Sequence, residues 1–75
     1  MSILLNSTGR CGVPRVERRP LADAERAIVR HGCRVGQIRY AGARLQRGRV
    51  VAQAPWAGRV LPEGSRVDLV VSLGS

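Results

Sequence analysis

Two cysteines and one histidine have the widest chemical range of any side chains in this sequence. Cys11 and Cys33 lie 22 positions apart, and His31 precedes the second cysteine by two residues. A metal site needs clustered ligands such as Cys-x-x-Cys, and a catalytic Cys–His pair needs a third residue to orient it. The sequence offers neither pattern. The cysteines therefore favour a disulfide, which would stabilise a small domain by about 3 kcal/mol and imply an oxidising compartment.

The 5 acidic residues suggest no acid–base pair of the kind that hydrolases use. Asp23 and Glu25 fall in the first turn of a predicted helix, where negative charge complements the helix dipole. No Gly-rich phosphate loop and no nucleophile elbow occur in the sequence. We therefore predict that the protein is not an enzyme and that it holds neither a metal ion nor another cofactor.

The basic residues raise the question of a nucleic-acid partner. All 13 are arginine, and the formal net charge is +8. Guanidinium groups bind phosphate well, but no recognition-helix or zinc motif and few aromatic platforms accompany them. The arginines are spread along the chain and come close in sequence only in two groups, Arg15, Arg18 and Arg19, and Arg44, Arg47 and Arg49. Nucleic acid is therefore an unlikely partner; the second group could form an anionic-ligand patch, although a solvated loop is favoured.

The elements that must position these residues are short, and the core between them must be aliphatic. The chain has 75 residues and no Phe, so its core is small. Pro20 precedes a helix predicted from Leu21 to His31, in which Ala24 and Ile28 share the apolar face. Gly32 is predicted to end this helix in a left-handed cap.

Strands are predicted on both sides of the helix. An edge strand or extended arm at Val13–Val16 precedes it, and three strands follow, around Val35–Tyr40, Val50–Gln53 and Val67–Ser72. In the last strand, Val67, Leu69 and Val71 alternate with Asp68 and Ser72, which predicts one buried and one exposed face. The predicted fold is a small α+β domain in which the helix covers a three-stranded sheet.

Neither end of the sequence predicts a membrane segment. No apolar run approaches the ~20 residues that a membrane span requires. Residues 1–10 lack the apolar stretch of a signal peptide, so no signal peptide is visible. We expect residues 1–10 to be a disordered leader and residues 11–75 to form the domain.

These segments together resemble the PASTA domain, the penicillin-binding-protein and serine/threonine-kinase-associated module. The resemblance covers residues 13–74 and rests on Val13-Pro14-x-Val16, Leu21-x-x-Ala24-x-x-x-Ile28, Gly32-Cys33-x-Val35-Gly36, and the pattern of Gly48, Val50, Gln53, Pro55, Gly58, Leu61, Gly64, Ser65, Val67, Leu69, Val71, Ser72 and Gly74. The sequence departs from the family at Arg18, where Gly is frequent, at Pro20, where Ser or Thr is frequent, and at Cys33, where many members are apolar. The resemblance implies a PASTA-like fold.

The resemblance also implies a function and a location. Relatives recognise peptidoglycan or muropeptides without catalysis, some bind β-lactams, and the modules usually occur in repeats outside the membrane. An extracellular or cell-wall location and neighbouring PASTA modules are therefore expected. A structural or protein-interaction module without a small ligand is the alternative, and a basic nucleic-acid-binding protein is the third hypothesis.

The turn-rich segment after the third predicted strand is the expected binding site. Trp56 could stack on a sugar, Arg59 could pair with a stem-peptide carboxylate, and Gln53 could bond to amides; Glu63 completes the set. Each residue also has a structural interpretation. Trp56 could instead cover the thin core, Arg59 could be a solvated charge, and Gln53 could hold the following turn.

Overall fold

The computed structural model describes residues 9–74 of the 75-residue chain. In chain order the elements are β1 (Arg10–Gly12), α1 (Leu21–Arg30), β2 (Arg34–Ala41), β3 (Val50–Ala54), β4 (Val60–Pro62) and β5 (Arg66–Ser72). Most of the predicted leader, residues 1–8, lies outside the described residues, and its last residue, Arg10, begins β1. The α+β architecture predicted from the sequence is confirmed.

The apolar face of α1 is the one that its periodicity predicts. Ala24 and Ile28 are fully buried, and Leu21 and Ala27 pack against them at the edge of the core. The helix begins after Pro20, the N-cap residue, whose ring offers no hydrogen bond to the first turn. Burial of one aliphatic face therefore fixes the position of this short helix more than its N-cap does.

A Schellman motif ends α1 at the predicted glycine. Gly32 has φ +84°, and its N–H donates to the carbonyl of Val29 at 3.1 Å. The N–H of Cys33 donates to the carbonyl of Ile28 at 3.0 Å. His31 is the C-cap, so the helix ends one residue before the predicted boundary. This motif turns the chain sharply from α1 into β2.

The main sheet has three strands in the order β2-β5-β3, with β5 in the centre. β5 pairs in parallel with β2 and antiparallel with β3. Val67, Leu69 and Val71 of β5 are buried, as their alternation predicts. The helix covers this face, because Ala24 and Ile28 belong to the same core cluster as Val67 and Leu69.

Ser72, at the end of β5, departs from the predicted alternation. Asp68 is exposed as expected, but Ser72 is only 1% exposed. Its hydroxyl donates to the carbonyl of Leu45 at 2.8 Å and accepts from the N–H of Gly74 at 2.9 Å. The loop after β2 folds over this position, and both hydrogen bonds satisfy the buried hydroxyl.

A second, two-stranded sheet pairs β1 with β4 in antiparallel fashion. Of the two predictions for Val13–Val16, an edge strand or an extended arm, the second is correct, because the first strand lies earlier in the chain. Val13 and Val16 are buried, but the N–H of Val13 donates to the carbonyl of Arg59 and that of Val16 to the side chain of Gln53. Pro14 has no N–H to donate, so this segment is an extended arm rather than a ladder strand.

The predicted disulfide is present and connects β1 to the end of α1. Cys11 of β1 and Cys33, directly after the helix cap, have sulfur atoms 2.00 Å apart and Cα atoms 4.7 Å apart. Both residues are buried. The disulfide thus fixes the small β1–β4 sheet to the end of α1 through the core, whose buried members are Cys11, Val13, Val16, Ala24, Ile28, Cys33, Val50, Val67 and Leu69.

Candidate functional site

The turn between β3 and β4 presents an exposed aromatic ring beside a cation. Trp56 is 69% exposed, so it does not cover the core. The guanidinium carbon of Arg59 lies over the indole, 5.3 Å from the ring centroid. This distance is within the range of a cation–π contact. Two of the predicted site residues are therefore in contact, and both are open to solvent.

Gln53, at the base of this turn, is a structural hydrogen-bonding residue. Its amide oxygen accepts from the N–H of Val16 at 2.9 Å. Its amide nitrogen donates to the carbonyl of Pro14 at 2.9 Å and to that of Pro55 at 3.3 Å. The side chain therefore joins β3 to the arm at residues 13–16 and to the turn itself. A ligand would have to displace these bonds to use the amide.

Backbone bonds complete the support of the turn. The N–H of Gly58 donates to the carbonyl of Val13 at 3.0 Å, and the N–H of Val13 donates to the carbonyl of Arg59 at 2.9 Å. Gly58 and Arg59 are thus both hydrogen-bonded to Val13 of the arm. Because the backbone is fixed, the position of Trp56 is fixed with it, and binding would lose little backbone entropy.

Glu63 lies away from the Trp56–Arg59 pair. It belongs to the turn after β4, where its N–H donates to the carbonyl of Gly9 at 3.2 Å. Glu63 follows Arg59 by four positions, and four steps of nearly extended chain span about 13 Å. Between them Val60 is 63% exposed, an apolar surface that sequence reasoning did not select. Its place in a strand of only 3 residues gave no alternation from which to predict it.

The other depressions on the surface offer less chemistry. The sheet face opposite α1 carries one of about 270 Å³, whose lining includes Arg39, Asp68, Val70, two alanines and the predicted site residue Gln53. The Asp68 carboxylate there already accepts from the N–H of Gln37 at 2.8 Å. Asp23 pairs with Arg26 at 2.6 Å, so it is not half of an acid–base pair.

Neither a metal cluster nor a membrane helix occurs in the part of the chain that the structure describes. Residues 9–74 contain no group of three or more His, Cys, Asp or Glu side chains placed to hold a metal ion. Their helix is also too short and too polar to cross a bilayer. The Trp56 turn therefore remains the best-formed candidate site among the described residues.

The family model of the PASTA domain matches residues 12–73. The chain belongs to the PASTA domain family. No curated protein sequence matches it. PASTA domains are generally non-catalytic binding modules. The match includes the arm, the helix, both sheets except the first residues of β1, and the whole Trp56 turn.

Two solved structures contain a similar fold. One is the entire extracellular region of the Ser/Thr kinase PrkC from Staphylococcus aureus, with a TM-score of 0.77 and 22% identity over 83% of this chain and 22% of that one. The other is the three-PASTA-domain of a Ser/Thr kinase from Staphylococcus aureus, with a TM-score of 0.75 and 22% identity over 81% of this chain and 31% of that one. This PASTA domain thus spans about a third or less of either solved chain.

Proposed function

We propose that this PASTA domain binds peptidoglycan fragments such as muropeptides at the Trp56 turn. The observation that carries the proposal is an exposed indole, 69% accessible, on a turn whose backbone is hydrogen-bonded to Val13 of the arm and to the side chain of Gln53. An exposed Trp costs free energy in water unless it contacts a partner. The C–H face of a sugar ring is a suitable partner for an indole.

Arg59 adds the second part of the recognition. Its guanidinium covers one face of the Trp56 ring, which leaves the other face for a sugar. Within residues 9–74 the Arg59 side chain forms no hydrogen bond and no ion pair. It can therefore donate two N–H groups to a carboxylate of a stem peptide. A glycan–peptide ligand offers both chemistries within one molecule.

In this proposal the bound ligand extends along β4. The strand runs from Arg59 past exposed Val60 to the turn that holds Glu63. An extended ligand that passes from Arg59 along this surface would reach Glu63 after about 13 Å, the length of four extended residue steps. Gln53 contributes by holding the turn in place. In this proposal Trp56 and Arg59 are the direct contacts and Glu63 marks the far end.

We also propose that the domain works outside the membrane, beside other PASTA modules. A buried disulfide is typical of proteins in oxidising compartments. The similar solved structures are an extracellular kinase region and a three-PASTA-domain fragment. Both facts support an extracellular location and neighbouring modules as partners.

Titration of the non-reduced protein with a soluble muropeptide tests the binding proposal. The readout is the amide NMR spectrum together with the indole N–H signal, which is unique because the chain has 1 Trp. We expect shifts at residues 55–63 that persist at physiological salt. Parallel titration with a β-lactam tests whether the same turn binds that ligand. Absence of shifts at millimolar muropeptide would refute the proposal and favour a structural or protein-contacting module.

Matched variants separate a stacking contact from a general effect. Trp56→Ala should weaken muropeptide binding about tenfold, because aromatic contacts are worth ~0.5–1.5 kcal/mol beyond burial. Tyr40→Ala is the control, since Tyr40 is also an exposed ring, 56% accessible, but lies on β2. It should bind as the parent does. Equal affinity of the Trp56→Ala variant would exclude stacking.

A further inference from the structure

Folding brings the two arginine groups of the sequence together at the N-terminal end of α1. The N–H of Arg18 donates to the carbonyl of Val50 at 2.7 Å, and the N–H of Val50 donates to the carbonyl of Arg19 at 2.9 Å. The Arg49 guanidinium donates to the carbonyl of Arg18, also at 2.7 Å. The segment before the helix is thus bound directly to the start of β3. We call the resulting surface the basic face, formed by Arg18, Arg19, Arg44, Arg47 and Arg49.

The basic face is not neutralised by neighbouring acids. Arg18 and Arg44 line one open depression of about 510 Å³, whose only acidic lining residue is Glu17. Within residues 9–74 the side chains of Arg18, Arg19, Arg44 and Arg47 form no ion pair and no hydrogen bond. Arg18 and Arg44 border the same depression, and like charges on one surface repel each other. Their guanidinium groups therefore attract an anionic partner that can bridge several of them.

The backbone of Arg18 gives an independent reason to assign a role to this surface. Arg18 has φ +73°, in the left-handed region where a side chain is disfavoured and glycine is not. It is the only non-glycine residue with positive φ among residues 9–74. The chain thus keeps an exposed guanidinium at a position where it strains the backbone. Such strained residues concentrate at binding sites.

The chemistry of the lining indicates which anion fits. Guanidinium groups bind phosphate oxygens in pairs, and an array of five suits a chain with regularly spaced phosphates. Neither aromatic residue of the chain lines the depression; its apolar lining is Ala43, Leu45 and Val51. Bases would find no ring on which to stack. The surface is therefore built to contact phosphates and not bases.

We infer that the basic face binds a flexible phosphodiester polymer through its phosphate groups alone. This site is separate from the Trp56 turn, because β3 runs between them from Val50 to Ala54, about 13 Å. The five arginines and Glu17 together have a net charge of about +4, so we expect contact with about four phosphates. Binding should therefore depend strongly on salt. Raising the salt from about 50 to 200 mM should weaken it about 50-fold.

Fluorescence anisotropy with two probes tests the inference. One is an abasic deoxyribose-phosphate oligomer of about twelve units, and the other is oligothymidylate of the same length, since single-strand sites cover ~4–16 nucleotides. We expect both to bind within about threefold of each other, with the salt dependence given above. A preference of more than about tenfold for the thymidylate would overturn the inference and point to base recognition. Failure of the abasic oligomer to bind at about 50 mM salt would overturn it as well.

Two variants with equal charge loss locate the site. The basic-face variant combines Arg18→Gly, Arg44→Gln and Arg47→Gln. It should lose about 20-fold or more in affinity for the abasic oligomer, because it removes the salt-dependent contribution of about three phosphate contacts. The control changes Arg30, Arg34 and Arg66 to Gln. These three exposed arginines lie at the C-terminal end of α1, at the start of β2 and at the start of β5, respectively. It should lose less than about threefold, because it leaves all the phosphate contacts in place. Equal losses in the two variants would show that net charge alone attracts the polymer.

A single substitution distinguishes a loss of binding from misfolding. Arg18→Gly relaxes the left-handed backbone, so its thermal unfolding midpoint should equal or exceed that of the parent. Its affinity for the abasic oligomer should nonetheless fall about threefold or more. Unchanged affinity in this folded variant would remove Arg18 from the site and contradict the inference. Muropeptide binding at Trp56 should be unaffected, so the two proposals fail separately.

Discussion

Reduction of the Cys11–Cys33 disulfide should remove a large share of the stability of this domain. The bond closes a loop with a sequence separation of 22. In the chain-entropy model such a loop lowers the entropy of the unfolded chain by about 11 cal/mol/K, which is about 3 kcal/mol at 25 °C. A domain of this size has a total unfolding free energy of about 4–11 kcal/mol. The reduced protein should therefore fold only marginally.

Urea denaturation of the oxidised and reduced protein measures this difference directly. Reduced wild type is a better comparison than a double alanine variant, because it retains both buried sulfur atoms and creates no cavity. Far-UV circular dichroism is the suitable signal, since Trp56 is 69% exposed and changes its environment little on unfolding. We expect a loss of about 3 kcal/mol and a larger m-value for the reduced chain. A loss below about 1 kcal/mol would refute the chain-entropy account.

Two further substitutions test the supports of the site, each against a matched control. Gln53→Ala leaves the N–H of fully buried Val16 without its acceptor and should destabilise the fold by about 2–3 kcal/mol, measured by urea denaturation. The control is Gln46→Ala, at an exposed glutamine, which should cost less than about 0.5 kcal/mol. Equal costs would contradict the structural role of Gln53. Gly32→Ala forces a Cβ against the backbone carbonyl of β1, while the same change at Gly58, φ +93°, meets open space. Both variants carry the left-handed cost of ~1–2 kcal/mol, so only a larger loss at Gly32 supports the steric argument.

The exposed position of Trp56 decides between two interpretations that its sequence context left open. A lone Trp in a domain without Phe could cover the core or face solvent. The structure fills the core with aliphatic residues and the disulfide, so the indole is left outside. For Gln53 the same comparison favours the structural role, because all three of its hydrogen bonds go to backbone groups. Ligand contact at Trp56, Arg59 and Glu63 stays a prediction.

The elements that local patterns specify were predicted correctly from the sequence. Spacing of 3.6 residues placed α1, and glycine at position 32 placed its end within one residue. Alternation in β5 identified Val67, Leu69 and Val71 as core residues. These patterns suffice because helix and strand geometry repeat over a few residues, and burial of one face follows from them.

The sequence left residues 13–16 open between an edge strand and an extended arm, and it did not predict β1 at Arg10–Gly12. β-branched residues at 13–16 indicated a strand, yet pairing depends on which backbone groups meet. β1 is only 3 residues long and pairs with β4, some fifty positions away. A strand this short shows no alternation, so nothing in its own residues could identify it.

The sequence by itself determined the α+β class, the helix, the aliphatic core and the family resemblance, and it favoured a disulfide that the structure then showed. Only the tertiary structure decided that β2 and β5 run in parallel, that β1 pairs with β4, and that Arg18 and Arg19 join the arginines of the loop at 44–49. These are contacts between residues distant in the chain. They arise from how the elements pack to bury their shared face, and no short stretch of sequence carries that information.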